Sequence, residues 1–326
     1  MCKSVLYVGV DVGKDEVWAS IDGYRPRKFK NSSQGAKALR KWSGKVSPDQ
    51  TVHFCMEATG VYGRSLAVCL LSFADTETSI VNPAQINSYA KAQLRRSKTD
   101  SVDSQVILSF AQTQKPHPWK PESEAIRKLY QLVSQADVLQ QQIQDCANRQ
   151  HAHSHTPDLP RQIKNCDKAL ARTLKRQLEN IEKAIDQLLE EDSELSGKVD
   201  LLCSFKGVAK KSAVQIIGYS RDAMTERSAR ALVAHAGLAP RHHQSGTSVN
   251  ARSHIAKQGD KRLRKALYMP ALVAMVHNPV IRNFYQRLLK NGKAKKLAIT
   301  ACMKKILTIL RAMIKSNKMF DPNMNA

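Results

Sequence analysis

The sequence has no apolar run of the roughly 18 residues that a membrane-spanning helix requires, and we expect no cleavable signal at its start. Aromatic residues make up only 6% of the chain, too few to argue for base-stacking platforms. The seven cysteines are widely spaced, without a CxxC pair or a histidine at zinc-ligand spacing. These absences argue against a membrane protein and a zinc domain, and they predict reduced thiols in a cytoplasmic protein.

Acidic residues are also scarce. The chain has 28 Asp and Glu against 52 Lys and Arg, which gives a net charge of +24 spread along its whole length. This excess predicts a polyanionic partner, and with a membrane disfavoured that partner is nucleic acid. The 326 residues are enough for two domains and a connector.

The first hundred residues alternate β-branched runs with helical patterns, which indicates an α/β domain. The predicted strands are Val5–Val10, Glu16–Ile21, Arg27–Phe29, Thr51–Met56 and Thr78–Val81. The predicted helices are Ser32–Trp42, Arg64–Phe73 and Pro83–Gln93. Asn82-Pro83 is a helix start, because proline is tolerated in the first turn. We assign residues 1–118 to this domain.

From about Pro121 the pattern becomes helical. Two narrow apolar seams predict two helices: Leu129, Leu132, Ala136, Leu139, Ile143 and Cys146, then Leu174, Leu178, Ile181, Ile185 and Leu188. Prolines between the seams exclude one continuous helix, so residues 119–195 are predicted to form an antiparallel coiled-coil hairpin that can pair with another subunit. Residues 196–326 are predicted to be a mainly helical domain. It contains a long polar loop at Ala239–Gly259 and helices at Arg262–Met275, Val280–Leu289 and Lys295–Ile314.

Four acidic residues stand where predicted elements begin or end. Asp11 and Glu57 each follow a strand, while Asp100 and Asp103 lie three apart at the start of a helical pattern. Grouped carboxylates repel one another unless a cation lies among them, and magnesium prefers oxygen ligands, so the set predicts a magnesium site. Two such ions can hold the attacking and leaving oxygens of a phosphodiester. Taken singly, each acid is better explained as a turn former, a capping residue or a helix N-terminal acid.

Several short motifs surround these acids and continue to the C-terminal region. They are Gly9-Val10-Asp11 with Lys14, Glu57-Ala58-Thr59-Gly60, Asn82-Pro83, Lys98-Thr99-Asp100-Ser101-Val102-Asp103, Ala236-Gly237-Leu238-Ala239-Pro240-Arg241, Ser245-Gly246 and Leu263-Arg264-Lys265-Ala266-Leu267-Tyr268-Met269-Pro270. Together they resemble the motifs of insertion-sequence transposases (recombinases) that carry an Asp-Glu-Asp-Asp RuvC-like domain and use a bridge RNA.

The resemblance implies a ribonuclease-H-like (RuvC-like) N-terminal domain whose four acids bind Mg2+, two ions per active site. It implies that Ser245 attacks DNA to form a covalent phosphoserine. It also implies that the substrates are double-stranded donor and target DNA and that a noncoding bridge RNA selects both. The protein would form a tetramer, a dimer of dimers whose subunits share active sites. It would act at the bacterial nucleoid. One departure is visible at Phe205–Ala209, where the family commonly has a proline and two glycines in a helix-hairpin-helix turn and only Gly207 matches.

Basic residues near these motifs are candidates for binding the nucleic-acid backbone. They are Lys98, Arg241, Arg252, Lys257, Arg262 and Arg264. His151, His153 and His155 alternate in the predicted turn of the hairpin, and without a fixed fourth ligand they are weak candidates for a metal site.

Three other functions stay open at this stage. A RuvC-like nuclease or junction resolvase would hydrolyse DNA with water and use Ser245 only to position it. An actin-like ATP-binding protein is suggested by Gly9–Gly13, which resembles its first phosphate loop, but no later glycine-rich adenosine motif follows and the charge of +24 is excessive. A noncatalytic nucleic-acid scaffold would not need the four acids.

Overall fold

The computed structural model describes residues 4–58, 60–94, 99–245, 249–256 and 258–322, and for residues 61, 241–245 and 249–254 it describes the backbone only. The chain forms two compact units, the first ending at Pro121 and the second beginning at Glu122. The hairpin and the C-terminal helices belong to the same unit. The three-part division at 118/119 and 195/196 stays a prediction. No helix in the described ranges is long and apolar enough to cross a membrane.

The first unit contains a five-stranded sheet in the order β3-β2-β1-β4-β5. Its strands are β1 (Val5–Val12), β2 (Glu16–Ser20), β3 (Arg27–Lys30), β4 (Thr51–Glu57) and β5 (Thr76–Val81). The strands β1, β2 and β3 are antiparallel neighbours, whereas β1, β4 and β5 run parallel. All five predicted strands are confirmed, each to within two residues at either end.

Four helices cover the two faces of this sheet. They are α1 (Ser33–Val46), α2 (Val61–Leu71), α3 (Pro83–Ala92) and α4 (Asp100–Gln114). Residues of α1 and α2 pack with one face of the strands, and residues of α3 and α4 pack with the other. The Asn82 side chain accepts a hydrogen bond from the Ala84 N–H at 2.9 Å, so the predicted helix start before Pro83 is confirmed. The fold is therefore mixed α/β, and its ribonuclease-H-like assignment stays a prediction.

The second unit begins with a helical hairpin. It consists of α5 (Glu124–Ser154) and α6 (Arg161–Glu191), joined by residues 155–160. Near this turn the Asp167 carboxylate of α6 lies 3.2 Å from Arg149 Nε and 2.8 Å from His153 Nδ1 of α5. The two-helix hairpin is confirmed, while coiled-coil packing stays a prediction. Helix α5 runs on through Ser154, so His151 and His153 are helical rather than part of a loop.

Eight further helices and a two-stranded ribbon complete the described part of the second unit. The helices are α7 (Ser193–Cys203), α8 (Lys210–Ser220), α9 (Ala223–Glu226), α10 (Ala229–His235), α11 (Lys261–Ala266), α12 (Tyr268–His277), α13 (Pro279–Lys290) and α14 (Lys295–Ser316). The ribbon is formed by β6 (Pro240–Ser245) and β7 (Val249–Ile255).

Two predictions for this unit are wrong. The region predicted as a polar loop, Ala239–Gly259, contains the antiparallel ribbon. Its first strand is polar after Pro240 and its second has apolar residues only at Val249, Ala251 and Ile255, so the alternation is too weak to predict a hairpin. The predicted helix Arg262–Met275 is two helices, because the ring of Pro270 clashes with the carbonyl of the residue four positions earlier, Ala266, where α11 ends.

Candidate active site

Asp11 and Glu57 lie at the carboxyl ends of two neighbouring parallel strands. Val10 pairs with Met56 in the register of β1 and β4, so an acid is the next residue in each strand. Alternation directs Val10 and Met56 into the core with α1 and α2, and it directs Asp11 and Glu57 toward the opposite face, where α4 lies. Both acidic residues are half-buried.

Gly9 allows α4 to cross directly over β1. A Cβ atom at Gly9 would lie 2.3 Å from both the Leu108 backbone nitrogen and the Ser104 carbonyl oxygen, closer than real Cβ atoms approach. Ser104 is buried, and its hydroxyl oxygen lies 2.7 Å from that of Ser20 on β2. Because the helix is held this close to the sheet, its first turn reaches the end of β1, where Asp11 stands.

Asp100 and Asp103 occupy that first turn of α4. The turn is capped by Thr99, whose hydroxyl accepts a hydrogen bond from the Val102 N–H at 3.4 Å. The helix dipole stabilises negative side chains at this position, which offsets part of the cost of grouping them. Asp100 is exposed and Asp103 is half-buried.

Three of the predicted acids act electrostatically on the fourth, Asp11. Burial raises the pKa of the Asp11 carboxyl, and the charges of Asp103, Asp100 and Glu57 raise it further, to about 6. A hydrogen bond from the Val12 backbone N–H lowers the pKa and offsets only part of this rise. The structure therefore brings Asp103, Asp100 and Glu57 close enough to Asp11 to disfavour its charge. Their side chains do not converge as ligands do: within the described ranges no group of three or more acidic, histidine or cysteine residues is arranged to hold a metal ion.

Ser245 lies in the second unit, at the end of β6. Its Cα pairs with Val249 of β7, so it stands beside the turn of the ribbon. Its side chain and the turn residues 246–248 lie outside what the structure describes. Arg241 and Arg252 lie on the same ribbon, one on each strand.

Of the other four residues predicted to contact nucleic acid, two make hydrogen bonds within the protein and two lie outside the described residues. Arg262 donates hydrogen bonds to the Tyr130 hydroxyl at 2.5 Å and to the Ser134 hydroxyl at 3.2 Å, and Arg264 donates to the Ala236 carbonyl at 3.0 Å. Lys98 and Lys257 lie outside the described residues. Both arginines thus hold parts of the fold together, and their contact with nucleic acid stays a prediction.

Arg262 belongs to an aromatic and charged cluster that sequence reasoning did not find. The Arg221 guanidinium lies 3.7 Å from the centre of the Tyr130 ring, and the Tyr219 hydroxyl donates to Asp137 at 2.5 Å. Burial raises the pKa of Tyr130, but the hydrogen bond from Arg262 and the charges of Arg221 and Arg262 lower it, and the net result is a lowered pKa. The residue pairs joined by these hydrogen bonds are 82 and 132 positions apart. No local spacing links them in the sequence.

Comparison with known proteins identifies the family. Residues 8–154 match a model described as Transposase, of the IS110 DEDD type, and residues 199–286 match the transposase IS116/IS110/IS902 family. The pilin gene-inverting protein of Moraxella bovis is 33% identical over 332 residues, which cover 99% of each protein. The chain belongs to the IS116/IS110/IS902 transposase family. The four acids lie inside the first matched range of this transposase and Ser245 lies inside the second.

Two other relatives of the transposase agree with this assignment. The pilin gene-inverting protein of Moraxella lacunata is 33% identical over 99% of each protein. An insertion element IS110 protein of Streptomyces coelicolor is 29% identical over 126 residues, which are 39% of the transposase and 31% of that protein. Family membership makes the transposase a DNA-cutting enzyme, and the DEDD type of the first match indicates dependence on a divalent metal.

Proposed function

We propose that this transposase is a DNA recombinase that cuts and rejoins double-stranded donor and target DNA through a phosphoserine at Ser245. One observation carries the proposal: Asp103, Asp100 and Glu57 each raise the pKa of the half-buried Asp11. A group of acids that repel one another lowers stability unless a cation lies among them, and such strained ionisable groups cluster at functional sites.

The chemistry of the four acids suits Mg2+. All four are carboxylates, which supply the hard oxygen donors that magnesium prefers, and the repulsion felt by Asp11 is what a cation would relieve. Two Mg2+ ions per active site would stabilise negative charge on the attacking and leaving oxygens of a phosphodiester. The fold positions the acids through the close crossing of α4 over Gly9 and the shared register of β1 and β4.

Ser245 supplies the nucleophile in this proposal. In the cutting step its hydroxyl oxygen forms an ester bond to the scissile phosphorus, and the bond from phosphorus to a deoxyribose oxygen breaks. The serine proton ends on the departing deoxyribose hydroxyl. In the rejoining step a deoxyribose hydroxyl of another strand attacks the phosphoserine and restores the serine. The position of Ser245 at the end of β6, on a ribbon that also carries Arg241 and Arg252, supports a contact with a phosphate.

A bridge RNA and a tetramer are part of the same proposal. The net charge of +24 favours binding of both DNA and RNA. The RNA would select the donor and target sites by base pairing. The acids and Ser245 belong to two separate compact units. In a dimer of dimers, the acids of one subunit can serve the serine of another, at the bacterial nucleoid.

The names of the two Moraxella relatives suggest one product of this reaction. Both are pilin gene-inverting proteins. Cutting and rejoining at two oppositely oriented sites in one DNA molecule inverts the segment between them, so we propose that this chain can support inversion as well as transposition.

The test is a search for the covalent adduct. The full-length protein is incubated with Mg2+, donor and target duplexes and the noncoding RNA encoded beside its gene, and the products are separated under denaturing conditions. We expect a protein–DNA adduct from the wild type and from Ser248→Ala, a control at a neighbouring serine. We expect none from Ser245→Ala or Asp11→Asn.

The alternative is hydrolysis by a RuvC-like nuclease or junction resolvase. That enzyme would release free DNA ends without an adduct, and Ser245→Ala would only weaken binding. Full strand exchange by Ser245→Ala would show that the covalent step is wrong.

A further inference from the structure

Six basic residues form a continuous stripe along the first half of α6. On a helix of 3.6 residues per turn they lie within an arc of about 120°, and they span about 22 Å of its length. All six are exposed, and the buried α6 residues Asp167, Ile185 and Leu188 lie on the opposite side. We call this surface the α6 basic stripe; its members are Arg161, Lys164, Lys168, Arg172, Lys175 and Arg176.

The stripe has no internal partner. In the described part of the chain no ion pair or hydrogen bond from another side chain reaches any of its six members. The one acid within this stretch of α6, Asp167, is buried and paired with Arg149 and His153, so it does not neutralise the stripe. An ordinary solvated helix face interleaves both signs at spacings of three and four residues, because such pairs stabilise the helix.

The same face of α6 reverses its charge after Arg176. Of the next five charged residues on this face one is basic, Lys183, and four are acids, namely Glu179, Glu182, Asp186 and Glu190. Asp186 accepts from Lys210 at 2.7 Å and Glu182 accepts from Lys211 at 2.9 Å, so this acidic half is held against α8. The charge reversal therefore confines the surface available to a polyanion to the outer half of the hairpin.

This distribution of charge is opposite to the one that helix stability favours. The helix dipole stabilises acids at the N-terminus and bases at the C-terminus, yet the first turn of α6 has no acid and its last turn has no base. Like charges four apart, as at Lys164, Lys168 and Arg172, destabilise the helix further. A sequence that departs from local stability in this consistent way indicates a function.

We infer that the α6 basic stripe is a docking surface for the phosphate backbone of duplex DNA. A duplex carries one phosphate per about 1.7 Å of its axis when both strands are counted, so a length equal to the roughly 22 Å of the stripe holds about 13 phosphates, of which only those on the near side can face it. Lysine and arginine side chains at this spacing bind phosphates without reading sequence. DNA is the polyanion on which this transposase family acts, and the surface lies on the hairpin, away from Ser245 in the sequence.

The experiment measures DNA binding by the full-length protein in EDTA, where no cutting occurs. The probe is a fluorescent 30-base-pair duplex of scrambled sequence, titrated at several salt concentrations. The test variant carries Lys164→Gln, Lys168→Gln and Arg172→Gln. The control variant carries Lys37→Gln, Lys41→Gln and Lys45→Gln, which removes the same charge from three exposed positions four apart on α1.

We expect DNA binding by the stripe variant to release about three fewer counterions than binding by the wild type. The slope of log K against log salt becomes shallower accordingly, since each phosphate contact contributes about 0.9. Its affinity at ~0.1 M salt falls on the order of tenfold or more. The control variant changes the slope by less than about 1. Glutamine has a helix propensity close to that of lysine and arginine, and circular dichroism checks that α6 remains folded.

Equal losses in the two variants would show that only net charge matters and would overturn the inference. An unchanged slope in the stripe variant would overturn it as well. A matched RNA duplex forms the second arm: a loss confined to RNA would refute DNA as the occupant. We expect Ser245→Ala to bind DNA like the wild type in EDTA. Binding by the stripe variant and adduct formation by Ser245 are therefore separate measurements, and either proposal can fail without the other.

Discussion

Replacing Asp11 with asparagine is expected to stabilise the metal-free first unit at pH 8 and to leave its stability nearly unchanged at pH 4. The pKa of Asp11 rises from 3.8 to about 6 in the folded chain, because burial and three neighbouring acids disfavour its charge. A group whose pKa is raised by folding contributes its stability fully below the unfolded pKa of about 4 and loses it as the pH rises through about 6. Asparagine has nearly the same shape and carries no charge.

The size of the effect follows from the same shift. Each tenfold change in proton affinity corresponds to about 1.4 kcal/mol, so a rise from 3.8 to about 6 corresponds to about 3 kcal/mol without solvent screening. Asp11 is only half-buried, and screening by water reduces the expected gain to roughly 1–2 kcal/mol. A gain of that size raises the midpoint of thermal unfolding by a few degrees.

The assay is urea unfolding of the wild type and of Asp11→Asn at pH 4, 6 and 8 in EDTA. Asp49→Asn, at an exposed acid of the same unit, is the control. Adding Mg2+ at pH 8 is expected to stabilise the wild type more than Asp11→Asn. The reasoning is refuted if Asp11→Asn lowers stability at pH 8, or if it raises stability equally at pH 4 and pH 8.

Two further substitutions test the packing that positions these features. Gly9→Ala places a Cβ atom 2.3 Å from the Leu108 nitrogen and is expected to cost roughly 1–3 kcal/mol in urea unfolding, whereas Gly197→Ala, which meets nothing within 4 Å in α7, should be neutral or stabilising. Asp167→Asn removes the buried charge that pairs with Arg149, and it is expected to destabilise the hairpin by roughly 1–3 kcal/mol. Hydrogen exchange of α5 and α6 measures that loss, and unchanged protection would contradict it.

Much of the first unit could be predicted from local patterns. Strands rich in β-branched residues, such as Val5–Val12 with its four valines, are recognisable because these residues favour extended backbone. The start of α3 was predicted because Asn82 caps the helix and Pro83 fits its first turn. Signals of this kind act within a few residues, so they can be read without knowledge of the fold.

Prediction was weaker where no local signal exists or where two signals conflict. The ribbon at Pro240–Ser245 and Val249–Ile255 has too few apolar residues to show a clear period, because its first strand is polar after Pro240 and its second carries only Val249, Ala251 and Ile255. Pro270 interrupts an apolar pattern that otherwise continues from Arg262, and the proline decided the outcome. Ser245 was found through its resemblance to family motifs and not through any local pattern.

The sequence by itself determined the excess of positive charge, most of the secondary-structure elements and the four candidate acids, because composition, periodicity and capping act locally. Only the tertiary structure decided that three acids lie near enough to Asp11 to raise its pKa, since this depends on the register of β1 and β4 and on the crossing of α4 over Gly9. It also decided which basic residues are available to a partner: Arg262 is held by Tyr130, while Lys168 and its neighbours on α6 face solvent. Contacts between distant residues settle both questions, and no spacing along the chain encodes them.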